Sequence, residues 1–164
     1  MKLDIETLLA LHELYGDYSA ALDARDLQRW PDFFTEDGHY QLQSRENFDR
    51  GLPLATMAFE SKAMLKDRVY GALDTIFHDP YVQRHIVSLP RLLSVEFSSA
   101  GPPEAWVCET SYVVVRTKRD AMAEILSVGR TLDRVVPTAQ GLRFAKRLVI
   151  FDNDLIPNSI IDPI

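Results

Sequence analysis

Acid–base chemistry is the reaction type that the polar side chains of this chain could support. The candidates lie on a helical stretch near the amino terminus, on an early strand and at the start of a long strand. They are Tyr15, Asp17, Tyr18, Asp23, Tyr40 and His85. A carboxylate beside a histidine can orient the imidazole as a general base, and tyrosine hydroxyls can donate hydrogen bonds to developing charge. One hypothesis is therefore a stand-alone isomerase or dehydratase that uses His85 with Asp17 or Tyr40.

A structural role for His85 is the alternative interpretation. On strand alternation its side chain shares a face with Val87, Leu89 and Leu93. A single histidine on an apolar face is more often a hydrogen-bonded core residue than a catalyst. The favoured prediction accordingly places no catalytic, cofactor-binding or metal-binding residue in this chain.

Metal chemistry is poorly supported by the residues present. The chain has one cysteine, Cys108, and four histidines, His12, His39, His78 and His85. A Rieske cluster requires two cysteines and two histidines, a structural zinc site usually requires at least two cysteines, and a facial iron triad requires two histidines and a carboxylate. These histidines are scattered over a predicted helix, two strand starts and a helix end, so we predict no metal site. Cys108 lies in an apolar run and is predicted to be a buried thiol without redox work.

Length and composition favour one soluble domain. The chain has 164 residues, 46% of them hydrophobic and 26% charged, so we expect a single domain over residues 1–164. No apolar stretch is long enough for a membrane helix, and Asp4, Glu6 and Glu13 interrupt the amino terminus where a secretion signal would be apolar. A cytoplasmic location follows. The net charge of −6 disfavours nucleic acid as a partner, because phosphate binding needs clustered lysine and arginine.

Two long helices are predicted in the first half of the chain. Apolar residues at three- and four-residue spacing, beginning with Ile5, Leu8 and Leu9, predict an amphipathic helix from Asp4 to about Arg25. The same spacing returns between Met57 and Phe77 and predicts a later helix. Each would lay its apolar side on the rest of the fold.

An aromatic segment, Asp26 to Tyr40, separates those helices. It is predicted to be a short helix that ends at the Asp37-Gly38 turn and leads into the first strand. Trp30, Phe33 and Phe34 are three to four residues apart and so share one face of that helix. Three large aromatic side chains on one short helix predict core packing rather than contact with a ligand.

The second half of the chain changes to a period of two. Four runs, predicted to be strands, are His85–Ser98, Ala105–Thr117, Glu124–Val136 and Leu142–Asp152. Short turns between them predict an antiparallel meander. Helices followed by strands define the α+β class, with the amino-terminal helices packed in the concave face of a long, strongly curved, mostly antiparallel sheet.

Three stretches of the chain resemble the small (beta) subunit of bacterial aromatic-ring-hydroxylating dioxygenases. They are FFTEDGHYQLQSREN, MLKDRVYGALDTIFHDPYVQRHIVS and RLVIFDNDLIPNSIIDPI. None of them is a metal or cofactor motif, so the resemblance is one of overall pattern. It implies the cone-shaped fold shared by nuclear transport factor 2 and ketosteroid isomerase.

The resemblance also implies a role and a set of partners. Such a subunit is a non-catalytic structural part of an oxidoreductase, forms a trimer, and assembles with catalytic alpha subunits as an alpha3beta3 heterohexamer. The alpha subunit would carry the Rieske [2Fe-2S] cluster, the mononuclear Fe(II) and the substrate pocket, and a reductase or ferredoxin would supply electrons indirectly. The substrate would be aromatic, and an aromatic carboxylate is favoured without a choice among terephthalate, salicylate and benzoate.

Two features of the chain are candidates for subunit contacts. The first is a series of arginines along the predicted strands, Arg91, Arg116, Arg130, Arg134, Arg143 and Arg147. Arginine suits interfaces because its planar fork pairs with carboxylates and its stem covers apolar area, although such a series also occurs on solvated sheet faces. The second is the apolar tail after Asp154, which must either meet a partner or fold back onto its own sheet. We predict that the outer sheet face and the tail make the subunit contacts; an interaction module without any oxygenase is a further alternative.

Overall fold

A mixed sheet and the helices packed on it make up the protein, for which a computed structural model describes residues 3–75, 80–97, 99, 101–156 and 160–164. The helical elements are α1 (Ile5–Asp23), a 3-10 helix (Leu27–Phe33), α2 (Arg45–Asp49), α3 (Lys62–Tyr70) and a π-helical segment (Gly71–Thr75). The strands are β1 (Phe34–Ser44), β2 (Met57–Phe59), β3 (Tyr81–Val87), β4 (Arg91–Phe97), β5 (Pro103–Lys118), β6 (Glu124–Thr138) and β7 (Gly141–Phe151). Within these described ranges, no helix is both long and apolar enough to cross a bilayer.

The sheet is mostly antiparallel and open. Its strand order is β2-β1-β7-β6-β5-β3, and β4 also pairs with β5. The pairing of β1 with β7 is parallel, whereas the other strand pairs are antiparallel. Helix α1 lies against one face of the sheet, where it contacts β3 and β7. The predicted α+β class, with helices on one face of a mostly antiparallel sheet, is confirmed.

The first predicted long strand is two strands rather than one. β3 ends at Val87 and β4 begins at Arg91, so the predicted run His85–Ser98 is interrupted at Ser88, Leu89 and Pro90. Pro90 has no N–H to donate to a ladder, and Ser88 instead exchanges hydrogen bonds with Ser111 of β5. The other three predicted runs correspond to β5, β6 and β7 and are confirmed.

Helix α1 begins where the sequence predicts, but its buried residues start later along the helix than the apolar spacing indicates. Asp4 accepts the backbone N–H of Thr7 at 2.8 Å and caps the helix. Ile5 and Leu9 are 66% and 53% exposed, while burial starts at Leu11. The prediction that Ile5, Leu8 and Leu9 face the core is wrong, since the helix packs on the fold only from its second turn onward.

The aromatic segment is core, as predicted, although its local structure differs. Trp30, Phe33 and Phe34 are at most 8% exposed. The helix around them is a 3-10 helix that contains Pro31, and Asp26 makes no side-chain cap. Strand β1 already starts at Phe34, so Asp37-Gly38 lies inside a strand with a register shift and not in a turn. The predicted later helix is likewise shorter, because Met57 belongs to β2 and α3 spans Lys62–Tyr70.

The apolar tail folds back into its own chain. Ile160 and Ile164 are 6% and 3% exposed and belong to the hydrophobic core. The guanidinium of Arg68 on α3 donates to the carbonyl of Ile161. The prediction that the tail makes the subunit contacts is therefore wrong for these residues, because their apolar surface is already buried within the subunit.

Candidate functional site

A buried ion pair joins β6 and β7 in the interior. Asp133 and Arg147 are opposite each other in the strand register, and an Nη atom of Arg147 lies 3.0 Å from Oδ2 of Asp133. Both side chains are at most 3% exposed. The prediction that Arg147 serves a subunit contact is therefore wrong. The alternation of side chains along β6 could have revealed that Asp133 is buried. Its side chain lies on the same face of the strand as those of Thr131 and Val135, which are also buried.

Neighbouring side chains compensate the two buried charges. Oδ2 of Asp133 also accepts hydrogen bonds from Tyr15 at 2.7 Å and from Thr131 at 2.6 Å. The guanidinium carbon of Arg147 lies 4.3 Å from the ring centre of Tyr18 and 4.8 Å from that of Phe144. Burial raises the pKa of Asp133, and the Arg147 charge opposes that rise. Burial alone would lower the pKa of Arg147, but the Asp133 carboxylate beside it raises that pKa above its ordinary value. These contacts hold β6 and β7 together. Neither the acidic nor the basic group of the pair is exposed to solvent.

Tyr18 and Tyr40 bind the main chain of the tail through their hydroxyl groups. The hydroxyl of Tyr40 donates to the main-chain oxygen of Ile164 at 3.2 Å and accepts its N–H at 2.9 Å. Tyr18 donates to the same oxygen at 3.0 Å and accepts from the indole N–H of Trp30. Burial raises the pKa of Tyr18 to about 12. These hydroxyls are occupied by structural hydrogen bonds, so the proposed partnership of Tyr40 with His85 is wrong.

His85 pairs with Asp23, the last residue of α1. Its Nδ1 atom lies 2.7 Å from Oδ1 of Asp23, and its backbone N–H donates to the same carboxylate at 2.9 Å. Asp17 lies elsewhere, on the wall of a cleft that also includes Arg143. The two aspartates are six positions apart along the helix, which turns their side chains to different sides of it. The predicted pairing of His85 with Asp17 is thus wrong, although Asp23 was among the acid–base candidates.

The remaining ligand-type residues do not form a shared centre in the part of the chain that the structure describes. His12 and His39 are exposed, and His78 lies outside the described residues. Cys108 is buried, as predicted, and burial raises the pKa of its thiol to about 12. Among the residues that the structure describes, no group of three or more histidine, cysteine, aspartate or glutamate side chains could hold a metal ion.

The outer face of the sheet carries a ladder of charges. An Nη atom of Arg91 lies 2.7 Å from Oε1 of Glu109, and an Nη atom of Arg130 lies 3.6 Å from Oε2 of the same residue. Next to it, Arg134 and Glu96 are 2.8 Å apart. Three of the six arginines singled out in the sequence therefore lie on this face. Arg116, by contrast, is 6% exposed on the opposite face, where it pairs with Glu124, so its predicted availability to a neighbour is wrong.

An apolar patch adjoins this ladder at the β3 edge of the sheet. Val82 and Ile86 of β3 are 58% and 62% exposed. Beside them, the half-buried Val113 and Val115 of β5 have their side chains on the same face. Arg84 lies on the same face, between Val82 and Ile86 and opposite Val115. An exposed patch of apolar side chains that contains arginine has the composition of a protein–protein interface. We refer to Val82, Ile86, Val113 and Val115 as the β3 patch.

Comparison with known proteins gives one consistent family. Residues 19–158 match the family model described as ring hydroxylating beta subunit. The chain is 31% identical over 161 residues to the anthranilate 1,2-dioxygenase small subunit of Burkholderia cepacia, which covers 98% of this chain and 96% of that one. It is 27% identical over 136 residues to a terephthalate 1,2-dioxygenase terminal oxygenase beta subunit of Comamonas sp., which covers 83% of this chain and 84% of that one.

A solved structure agrees with these sequence matches. A protein of Novosphingobium aromaticivorans, assigned as the beta subunit of an aromatic-ring-hydroxylating dioxygenase, superposes with a TM-score of 0.84 at 31% identity and covers 96% of this chain and 97% of that one. The relatives are small subunits of oxidoreductases made of several components. On the family match and these similarities, the chain belongs to the ring-hydroxylating dioxygenase beta subunits.

Proposed function

We propose that this chain is a non-catalytic structural subunit that assembles and positions the catalytic alpha subunits of an aromatic-ring-hydroxylating dioxygenase. The observation that carries the proposal is the outer sheet face, where the β3 patch adjoins the Arg91–Glu109–Arg130 ladder. In the interior, by contrast, Oδ2 of Asp133 and the hydroxyl of Tyr15 are engaged in a structural hydrogen bond with each other. The side chains that remain available for contact with a partner therefore lie on the outer face of the sheet.

The proposed assembly is a trimer of this chain joined to three alpha subunits. The outer face is suited to such contacts because apolar side chains supply buried area and the charged ladder supplies specificity. β3 stands at one end of the strand order, which places the β3 patch at the margin of the sheet. We further propose that the chain acts as one domain in this assembly.

The chemistry would belong to the partner chain. We propose that the alpha subunit holds the Rieske [2Fe-2S] cluster, the mononuclear Fe(II) and the substrate pocket, with electrons delivered by a reductase or ferredoxin. Two relatives are named for oxygenases of anthranilate and terephthalate, both aromatic carboxylates. We therefore propose an aromatic carboxylate as substrate and a role in aromatic catabolism in the cytoplasm.

The test is assembly of the chain with its alpha subunit. We expect the chain co-expressed with that subunit to elute as a single iron-containing complex with the mass of an alpha3beta3 hexamer. Ile86→Asp, in the β3 patch, should reduce the fraction assembled several-fold, because a carboxylate would be buried without a partner. Ile5→Asp is the matched control, since Ile5 is similarly exposed but lies at the start of α1.

Light scattering and iron content provide the measurement. A wild-type chain that stays separate from its alpha subunit would contradict the proposal. If Ile86→Asp assembles to the same extent as wild type, the β3 patch is not part of the interface.

A further inference from the structure

A second exposed apolar feature lies at the margin of the sheet opposite to β3. It is the loop between α2 and β2, where Leu52 and Leu54 are 39% and 62% exposed on either side of the exposed Pro53. Helix α2 lies on the outer face, because the Arg130 guanidinium stacks over the ring of Phe48 at 5.4 Å. β2 is the end of the strand order opposite to β3. We refer to Leu52, Pro53 and Leu54 as the leucine loop.

Hydrogen bonds hold the leucine loop in one shape. The backbone N–H of Leu52 donates to the carbonyl of Asn47 at 2.8 Å, and the side-chain amide of Asn47 donates to the carbonyl of Leu54 at 3.2 Å. Gly51 has a φ of +64°, a left-handed conformation that glycine adopts without strain. Exposed apolar side chains on a rigid support suit an interaction site, because little conformational entropy is lost when they bind.

The proposed trimer requires two different contact surfaces on each copy. A closed ring of three copies has no two-fold axis, so its interfaces are heterologous and a patch meets a different patch of the next copy. The β3 patch and the leucine loop lie at opposite margins of one sheet, which is the arrangement that a head-to-tail contact uses. Both surfaces expose a large apolar side chain, since Ile86 and Leu54 are each 62% exposed.

The charges at these two surfaces are of opposite sign. Arg84 lies within the β3 patch, and its guanidinium makes only a long contact of 3.9 Å with Asp23. Asp49, at the end of α2, is exposed and forms no ion pair within the part of the chain that the structure describes. Arg50 beside it pairs with Glu46 at 2.8 Å. An arginine at one margin and an unpaired carboxylate at the other favour contact between the two surfaces over contact of either surface with itself.

We propose that the leucine loop of one copy packs on the β3 patch of the next copy, and that three such contacts close the trimer. This inference rests on the trimer in the proposed function and names the two surfaces that form it. The two leucines cover Val82 and Ile86. Asp49 pairs with Arg84 at the border of the contact. The β3 patch is therefore covered by a second copy of this chain.

The mass of the full-length chain alone, measured by analytical ultracentrifugation, is the first test. Wild type should sediment with three times the mass of one chain, and Leu54→Asp and Ile86→Asp should each weaken the trimer at least about tenfold. Ile5→Asp is the control, because Ile5 is 66% exposed but lies on α1, away from both surfaces. Circular dichroism should show that all three variants are folded. A monomeric wild type, or an unweakened Leu54→Asp trimer, would overturn the inference.

A mixture of two variants tests whether the contact is head-to-tail. Leu54→Asp keeps an intact β3 patch and Ile86→Asp keeps an intact leucine loop, so one sound contact can form between the two variants. Neither variant can form that contact with itself. We expect a heterodimer in the mixture at a concentration where each variant alone is monomeric. A mixture that stays monomeric would contradict the pairing of the loop with the patch.

Failure of this inference is distinguishable from failure of the proposed function. If Leu54→Asp leaves the trimer intact while wild type forms an iron-containing complex with its alpha subunit, the two surfaces are wrong and the structural role stands. If Leu54→Asp dissociates the trimer but wild type stays separate from the alpha subunit, the contact between copies is supported and the proposed function is contradicted.

Discussion

The buried charges of Asp133 and Arg147 depend on a few contacts that a single substitution would disturb. Asp133→Asn keeps the shape of the side chain but leaves the buried Arg147 guanidinium without a counter-charge. We expect a loss of about 3–5 kcal/mol in the free energy of unfolding, measured by urea denaturation. The control is Glu96→Gln, which breaks the exposed pair with Arg134 and should cost less than about 1 kcal/mol. Similar losses for the two variants would contradict the structural role of the buried pair.

The buried tyrosines predict a loss of stability in alkali. Burial raises the pKa of Tyr18 from 10.0 to about 12 and raises the pKa of Tyr40 as well. Above pH 10 the unfolded chain therefore releases protons that the folded chain retains, and the free energy of unfolding falls as pH rises. We expect the full contribution of Tyr18 below pH 10 and its progressive loss between pH 10 and about 12.

Urea denaturation from pH 9 upward, with tyrosinate absorbance as a second signal, would measure this dependence. Tyr18→Phe should lower stability at neutral pH, because it removes the hydroxyl that binds Ile164 and Trp30. The same variant should show a shallower decline above pH 10. An unchanged slope would mean that Tyr18 ionises at its ordinary pKa.

Among the larger elements, the folded-back tail is expected to be part of the stable unit. Removal of residues 157–164 would expose the surfaces that Ile160 and Ile164 cover and leave the hydroxyls of Tyr18 and Tyr40 without their main-chain partner. Loss of one large buried apolar side chain typically costs about 2–5 kcal/mol, so the truncated chain should be severely destabilised or unfolded. Circular dichroism and urea denaturation would measure this. Leu155→Ala is the control, because this side chain is 85% exposed and its removal should change stability little. A truncated chain as stable as wild type would contradict the burial of the tail.

The pairing of β6 with β7 requires a glycine at position 129. A Cβ atom there would lie 2.0 Å from the carbonyl oxygen of Ile150 and 3.0 Å from Cα of Phe151, both backbone atoms of β7. Because backbone cannot move aside as a side chain can, Gly129→Ala should cost about 1–3 kcal/mol or more in the free energy of unfolding. Gly16→Ala is the matched control, since its new methyl group meets open space and should stabilise α1. Thermal denaturation of the two variants should move the midpoint in opposite directions, and a shift in the same direction would contradict this account.

In the molecule as a whole, the two faces of the sheet have different roles: one is packed and the other is exposed. The inner face packs on α1 and the tail and contains the buried tyrosines and the Asp133–Arg147 pair. The outer face retains Val82 and Ile86 in solvent beside paired arginines and glutamates. A subunit whose inner face is filled and whose outer face is partly apolar is suited to assembly.

The amino-acid sequence by itself determined the class of fold and the main elements. Alternation with a period of two predicted β5, β6 and β7, and helical spacing behind Asp4 predicted α1, because both patterns are set by the local backbone geometry. The burial of Trp30 and Cys108 could also be predicted from the sequence, because large apolar side chains and thiols in apolar runs seldom stay exposed. Three quoted stretches were enough to indicate the family.

Only the tertiary structure decided which buried polar groups meet. Arg147 belongs to the interior and Arg130 to the outer face, although the sequence shows both as arginines in alternating strands. His85 meets Asp23 and not Asp17, and the tail covers Tyr18 and Tyr40 rather than a neighbour. The physical reason is that the partner of a polar or apolar group depends on which distant surfaces close over it. Local periodicity does not contain that information, because it fixes the face of an element but not what packs against that face.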